Sequence, residues 1–133
     1  MGDNFRTFDV NFDGYLDFSV IVEVGSKYAS QSWWIYDPAS GKFVQNRLTR
    51  GLREVTSNGY RIDERKYELL ANHRMFGCPE LVYRYHIEAD RLLMTHWEEP
   101  FQGDVCVITY HDLVDGRMKV TGKRRFKNNQ PVR

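Results

Sequence analysis

Tyr85-His86-Ile87-Glu88-Ala89-Asp90-Arg91-Leu92 is the stretch whose reading decides the fold of this chain. Pairing about a turn at Ala89-Asp90 places Tyr83, Tyr85, Ile87, Leu92, Met94 and His96 on one face. The other face takes Arg84, His86, Glu88, Arg91 and Thr95, with Leu93 and Trp97 as apolar exceptions. A two-residue alternation of this kind is what a half-buried antiparallel strand pair requires.

The same arrangement recurs on both sides. A tyrosine, five or six residues of turn chemistry, a basic residue and then a bulky apolar or aromatic one also run from Tyr36 to Phe43 and from Tyr60 to Tyr67. With one residue inserted, the pattern returns from Tyr110 to Met118. The four tyrosines are 24, 25 and 25 residues apart, and one more step back reaches Phe12. Near-regular self-similarity is the mark of a repeat architecture. Pro38 with Gly41, Ala89-Asp90 and Asp115-Gly116 supply turns, the last a strong two-residue hairpin signal. Phe18–Val24 and Val105–Tyr110 are β-branched and aromatic, as strands prefer. Ile62 to Phe76 is also compatible with a helix through Ile62, Leu69, His73 and Phe76, but the repeat register favours a hairpin there. The expectation is an all-β chain, one domain over residues 1–133, built of about five antiparallel hairpin units of about 25 residues. Such units are too short for four-stranded propeller blades, which take about 40–45 residues. The units could form a propeller-like ring of minimal blades, a small closed barrel or two packed sheets, and closure would hide strand edges.

Composition agrees with a folded chain. At 41% hydrophobic and 28% charged residues, it is neither disordered nor collagen-like. A net charge of +1 gives no field that points to nucleic acid or an acidic membrane. The cationic run from Arg117 to Arg133, which holds no acid, reads as a solvated strand and chain end. No apolar run reaches the ~18 residues of a membrane helix. Met1-Gly2-Asp3-Asn4 lacks the basic start and apolar stretch of a signal peptide. Cys78 and Cys106 allow one disulfide in an oxidising compartment or two buried thiols in a reducing one.

The strongest chemical motif is Asp9-Val10-Asn11-Phe12-Asp13-Gly14-Tyr15-Leu16-Asp17. Hard oxygen ligands at alternate positions converge on one ion when the loop curls, and the glycine permits the sharp turn. The expected Ca²⁺ ligands are Asp9, Asn11 and Asp13 through side-chain oxygens, Tyr15 through its carbonyl, and Asp17 directly or through water. Three carboxylates within nine residues repel one another without a cation. The alternative is a plain Asx-rich turn around Asp13-Gly14. Where an EF-hand loop ends in a bidentate glutamate this chain has Val20, and a strand follows instead of a helix. The motif is therefore strand-flanked, and it resembles the loops of FG-GAP-like and other calcium-binding β-repeats.

Catalytic chemistry is not expected. His73, His86, His96 and His111 have no short metal-ligand spacing, and Glu98-Glu99 are adjacent strand residues that point to opposite faces. No nucleophile motif or phosphate-cradling glycine loop is present. Tyr28, in the polar stretch Gly25 to Gln31, is the candidate anchor for a partner protein.

Asn11-Phe12-Asp13-Gly14-Tyr15-Leu16-Asp17-Phe18, Trp34-Ile35-Tyr36-Asp37-Pro38 with Gly41-Lys42-Phe43, and Tyr83-Arg84-Tyr85 through Leu92-Leu93-Met94 together carry a resemblance. The chain resembles a family of small secreted or periplasmic bacterial proteins associated with type IV secretion immunity and related to periplasmic lysozyme inhibitors. The resemblance implies a propeller-like fold of five small blades, a bound calcium ion and inhibition of peptidoglycan-cleaving enzymes. It points to a periplasmic or secreted location and to a lysozyme-like hydrolase as the partner protein. A cell-wall carbohydrate-binding module and a non-catalytic structural or interaction domain are the alternatives.

Overall fold

Strand formation follows the side chains: Phe18 to Val22 and Val107 to Tyr110 offer branched and aromatic groups that pack on a pleated surface. The computed structural model describes residues 5–24, 29–55, 59–75, 77–88 and 90–132. Its elements are β1 (Phe5–Phe8), β2 (Asp17–Val24), β3 (Ala29–Asp37), β4 (Lys42–Val44), α1 (Arg47–Glu54), β5 (Gly59–Asp63) and β6 (Glu68–His73). They continue as β7 (Leu81–Glu88), β8 (Arg91–Gln102), β9 (Cys106–Val114), β10 (Arg117–Lys127) and β11 (Gln130–Val132). The described residues are all-β apart from one short helix.

Each periodic tyrosine lies in a hairpin. Tyr36 pairs with Phe43 across β3 and β4, Tyr60 with Ala71 across β5 and β6, and Tyr85 with Met94 across β7 and β8. Tyr110 pairs with Gly122 across β9 and β10. In the stretch for which a helix is the alternative, Ile62 and Asp63 end β5 and Glu68–His73 form β6, the two strands of one hairpin. Asp115 and Gly116 have φ of 52° and 78°, the left-handed pair a tight two-residue hairpin turn needs, and a Cβ at Gly116 would be strained.

The hairpins do not stand apart as blades. They share backbone hydrogen bonds edge to edge, giving a four-stranded sheet β1-β2-β3-β4 and a seven-stranded sheet β11-β10-β9-β8-β7-β6-β5, antiparallel throughout. The larger sheet curls into a half-barrel. The expected closed ring or barrel is not seen among the described residues, where each sheet keeps two end strands, and β11 adds a hairpin arm outside the 25-residue period. The expected repeat of five like units is not confirmed by this arrangement.

One register differs from expectation for a clear reason. Tyr85 pairs with Met94 but Arg84 pairs with His96, so Thr95 is the extra residue of a β-bulge. The bulge moves His96 into register with Arg84 instead of Tyr83, and it brings Trp97 against the Tyr83 ring, with centroids 6.3 Å apart.

The two sheets and the helix share an apolar core of Val10, Trp33, Ile35, Leu48, Leu52, Leu69 and Ile87. Helix α1 contributes Leu48 and Leu52, one turn apart and almost fully buried. Asn46 caps it: its side-chain oxygen accepts from Thr49 N–H at 3.0 Å, and its own N–H donates to Thr49 Oγ1 at 2.7 Å. A second cluster of Cys78, Leu81, Cys106, Ile108 and Phe126 lies in the larger sheet. Within it Cys78 and Cys106 are joined as a disulfide, with Cα atoms 5.4 Å apart.

Candidate metal centre

The acidic loop is the turn between β1 and β2, and its own side chains shape it. Both oxygens of Asp9 accept backbone N–H groups, from Asp13 at 3.1 Å and from Gly14 at 2.8 Å. Asp13 Oδ1 accepts from Tyr15 N–H at 3.0 Å, and its Oδ2 accepts from the Asn11 amide at 3.1 Å. The carboxylates thus wind the chain around themselves, as Asx turns do. Phe12 and Gly14 both take left-handed φ, 60° and 90°. At Gly14 only glycine adopts that conformation without strain.

Asp17 does something different. It is 1% exposed, and its Oδ2 accepts from Val10 N–H at 2.9 Å while Oδ1 accepts from Tyr36 N–H at 2.9 Å. One carboxylate therefore ties the loop to β3. Burial pushes its ionisation above the usual carboxylate range; the Tyr36 and Val10 amides pull it back, and Asp13 and Asp9 add to the rise. A cation among these carboxylates would relieve that field.

The loop is also fastened to the rest of the protein. Val10 is fully buried in the shared core. The Phe12 ring meets Tyr67 edge-on at 4.8 Å, at the tip of the β5–β6 hairpin, and Tyr67 also has a left-handed φ of 55°. Tyr15 lies against Tyr36 at 5.2 Å. The loop touches both sheets.

The donor set fits a hard divalent cation. All side-chain donors in it are oxygens, and Asn11 Oδ1 is buried with no hydrogen-bond partner, the kind of orphan acceptor a cation satisfies. The carboxylate oxygens that already accept one N–H each retain lone pairs. Among the described residues no three His, Cys, Asp or Glu side chains stand together as a finished metal cluster. Asp9, Asp13 and Asp17 each have both carboxylate oxygens already accepting a hydrogen bond, and Asp17 is also buried.

Neither a protein family nor a curated protein matches the chain. Among solved structures, one described as a Xanthomonas type IV secretion system related protein superposes with a TM-score of 0.70 at 20% sequence identity. The likeness covers 90% of this chain and 58% of that one, so this chain spans under two thirds of the solved protein's length. At that identity the fold is what the two share.

Of the remaining expected site residues, Tyr28 lies outside the described residues. The histidines do not gather at one point. His73 stacks on Tyr83 at 4.5 Å, and His111 stacks on Trp97 at 4.1 Å and contacts Glu99 at 2.9 Å. His96 stands between two carboxylates: Nδ1 is 2.7 Å from Asp112 Oδ1 and Nε2 is 2.8 Å from Glu98 Oε2. Glu98 also accepts from Val82 N–H at 3.1 Å, and Asp112 accepts from the Thr121 hydroxyl. That bond, followed by His96, holds the Asp112 carboxyl below its usual range. Sequence reasoning misses this network. The His96-x-Glu98 spacing is visible on one strand, but Asp112 joins only through the β8–β9 register, which sets it opposite His96.

Proposed function

We propose that the chain is a calcium-stabilised extracytoplasmic binding protein, without catalysis of its own, that inhibits a lysozyme-like peptidoglycan hydrolase. The observation that carries the calcium reading is the orphaned Asn11 Oδ1 among the oxygens of Asp9 and Asp13. Asp9, Asn11, Asp13 and the Tyr15 carbonyl would hold the ion, with Asp17 completing the set directly or through water. Bound there, Ca²⁺ supplies charge neutralisation and fixes the loop; the chain's own contacts pass that rigidity to both sheets.

The partner reading is supported by the fold shared with a type IV secretion system related protein. The Cys78–Cys106 disulfide supports an oxidising, extracytoplasmic compartment. The test is a panel of lysozymes and cell-wall hydrolases assayed with and without the protein. Stoichiometric inhibition of at least one member is expected; absence of inhibition and of binding across the panel would overturn the reading.

One observation favours a second reading, a cell-wall carbohydrate module. Phe101, 71% exposed, rims a recess of about 350 Å³ lined also by Glu99, Thr109 and Lys123. An aromatic ring beside charged and hydroxyl groups suits a sugar. Sedimentation with purified peptidoglycan separates the two, because an inhibitor follows the enzyme and a module follows the polymer.

A further inference from the structure

Arg61, Leu70 and Arg84 occupy one cross-strand row over β5, β6 and β7. Directly paired residues in antiparallel sheets share a face, so both arginines lie on the same side, flanking Leu70. Their backbones are two strand spacings apart, roughly 10 Å. Asn72 and Val82, the neighbouring pair two positions along, complete the same face. Together with Tyr60 these residues line a recess of about 360 Å³ beside β5, the end strand of the sheet. That volume lies within the range of small-ligand sites.

Three of the acids near this recess are already engaged. Asp63 accepts from Arg65 and Lys66 N–H groups at its turn, 3.0 and 3.3 Å away. Glu98 serves Val82 N–H and His96, and Asp112 serves His96 and Thr121. Glu68 lies on the same face in the adjoining row, opposite His86 in register, and belongs to the rim of the recess. Other arginines have partners: Arg91 meets Glu88 at 2.7 Å, and Arg53 donates to Ser32 Oγ at 2.7 Å. Arg61 and Arg84 make no side-chain hydrogen bond or ion pair among the described residues, and neither does the Asn72 amide. Two guanidinium forks and an amide thus surround a recess floored by Leu70 and Val82 with no hydrogen-bonded acceptor among the described residues, the Arg84 charge being felt at Asp112 without a direct ion pair. Planar forks of this kind recognise carboxylate and phosphate oxygens through paired N–H donors.

We propose that the Arg61–Asn72–Arg84 recess is a binding site for an oxyanionic ligand, a phosphoryl or carboxylate group gripped between the two guanidiniums. The site is separate from the acidic loop and does not depend on calcium.

The test is nuclear magnetic resonance of ¹⁵N-labelled protein titrated with inorganic phosphate and, separately, with succinate, at constant ionic strength against chloride. Saturable millimolar shifts of the Asn72 side-chain amide and of the Arg61 and Arg84 Nε–H signals are expected. The tighter anion identifies the source, phosphoryl or carboxylate, and equal binding supports a general oxyanion site. R61Q and R84Q should each weaken binding roughly tenfold, and the double variant should abolish saturation. R61K and R84K keep the aliphatic cover over Leu70 and the charge, so they fold as the parent does. Losing only the fork, they should weaken binding roughly threefold. The paired variant K123Q/R125Q, on exposed cations of β10, should leave binding unchanged. Shifts that fail to saturate, shifts that chloride reproduces, or an equal loss in K123Q/R125Q would overturn the site.

Discussion

At the scale of single residues, Asp112 shows how one contact sets an ionisation. The Thr121 hydroxyl and then His96 lower its carboxyl from 3.8. A carboxyl depressed on folding contributes stability that is complete above its unfolded value and is lost as pH falls through its folded value. Thr121→Val removes the larger cause. The Asp112 carboxyl should then titrate closer to 3.8 in side-chain resonance measurements, with a smaller rise in His96→Gln. An unchanged midpoint in Thr121→Val would contradict the hydrogen-bond assignment. At this scale the sequence was readable wherever partners are close in the chain. Asp9 with Asp13 and Gly14, and Asp13 with Tyr15, are separated by five residues or fewer, so spacing alone reveals them. Asp17 binding Tyr36 N–H, 19 residues on, and the burial of Val10 depend on tertiary packing that no local pattern encodes.

Among the elements, the hairpins were legible and the helix was not. Alternation and turn residues mark β5 through β10 because a strand's two-residue period survives in its side chains. Bulges do not announce themselves: Thr95 carries no glycine or proline, yet it shifts His96 and Trp97 by one register step. Helix α1 is eight residues, rich in arginine, with only Leu48 and Leu52 as buried apolar anchors. Helices this short are marginal alone, so packing against the core decides its existence. Two consequences are measurable by chemical denaturation. Asn46→Ala should cost about 1 kcal/mol through the lost cap. Leu48→Ala, at a fully buried position, should cost about 3–5 kcal/mol through lost contacts and the cavity left behind. If the cap variant proved the costlier of the two, α1 would not be held by its buried face.

The whole molecule is closed by two kinds of tie. The disulfide spans 28 residues and removes loop freedom from the unfolded chain, which by chain entropy is worth roughly 3–4 kcal/mol. Reduction should therefore lower the melting temperature by roughly 10 °C or more. A melt indifferent to reductant would show that the bond contributes nothing to the fold. The second tie is the acidic loop, which its aspartate spacing marked in the sequence but could not connect to the rest of the fold. Val10 in the core, Phe12 on Tyr67 and Asp17 on Tyr36 join it to both sheets, so whatever fixes the loop should stabilise the entire fold. The decisive measurement is a thermal melt of the chelator-treated protein with and without millimolar calcium, paired with metal analysis and repeated for the Asp9→Asn/Asp13→Asn variant. Binding that contributes about 2 kcal/mol should raise the midpoint by roughly 5–10 °C, with one calcium per chain and no rise in the variant. An unchanged midpoint at millimolar calcium, with no metal bound, would contradict the calcium site.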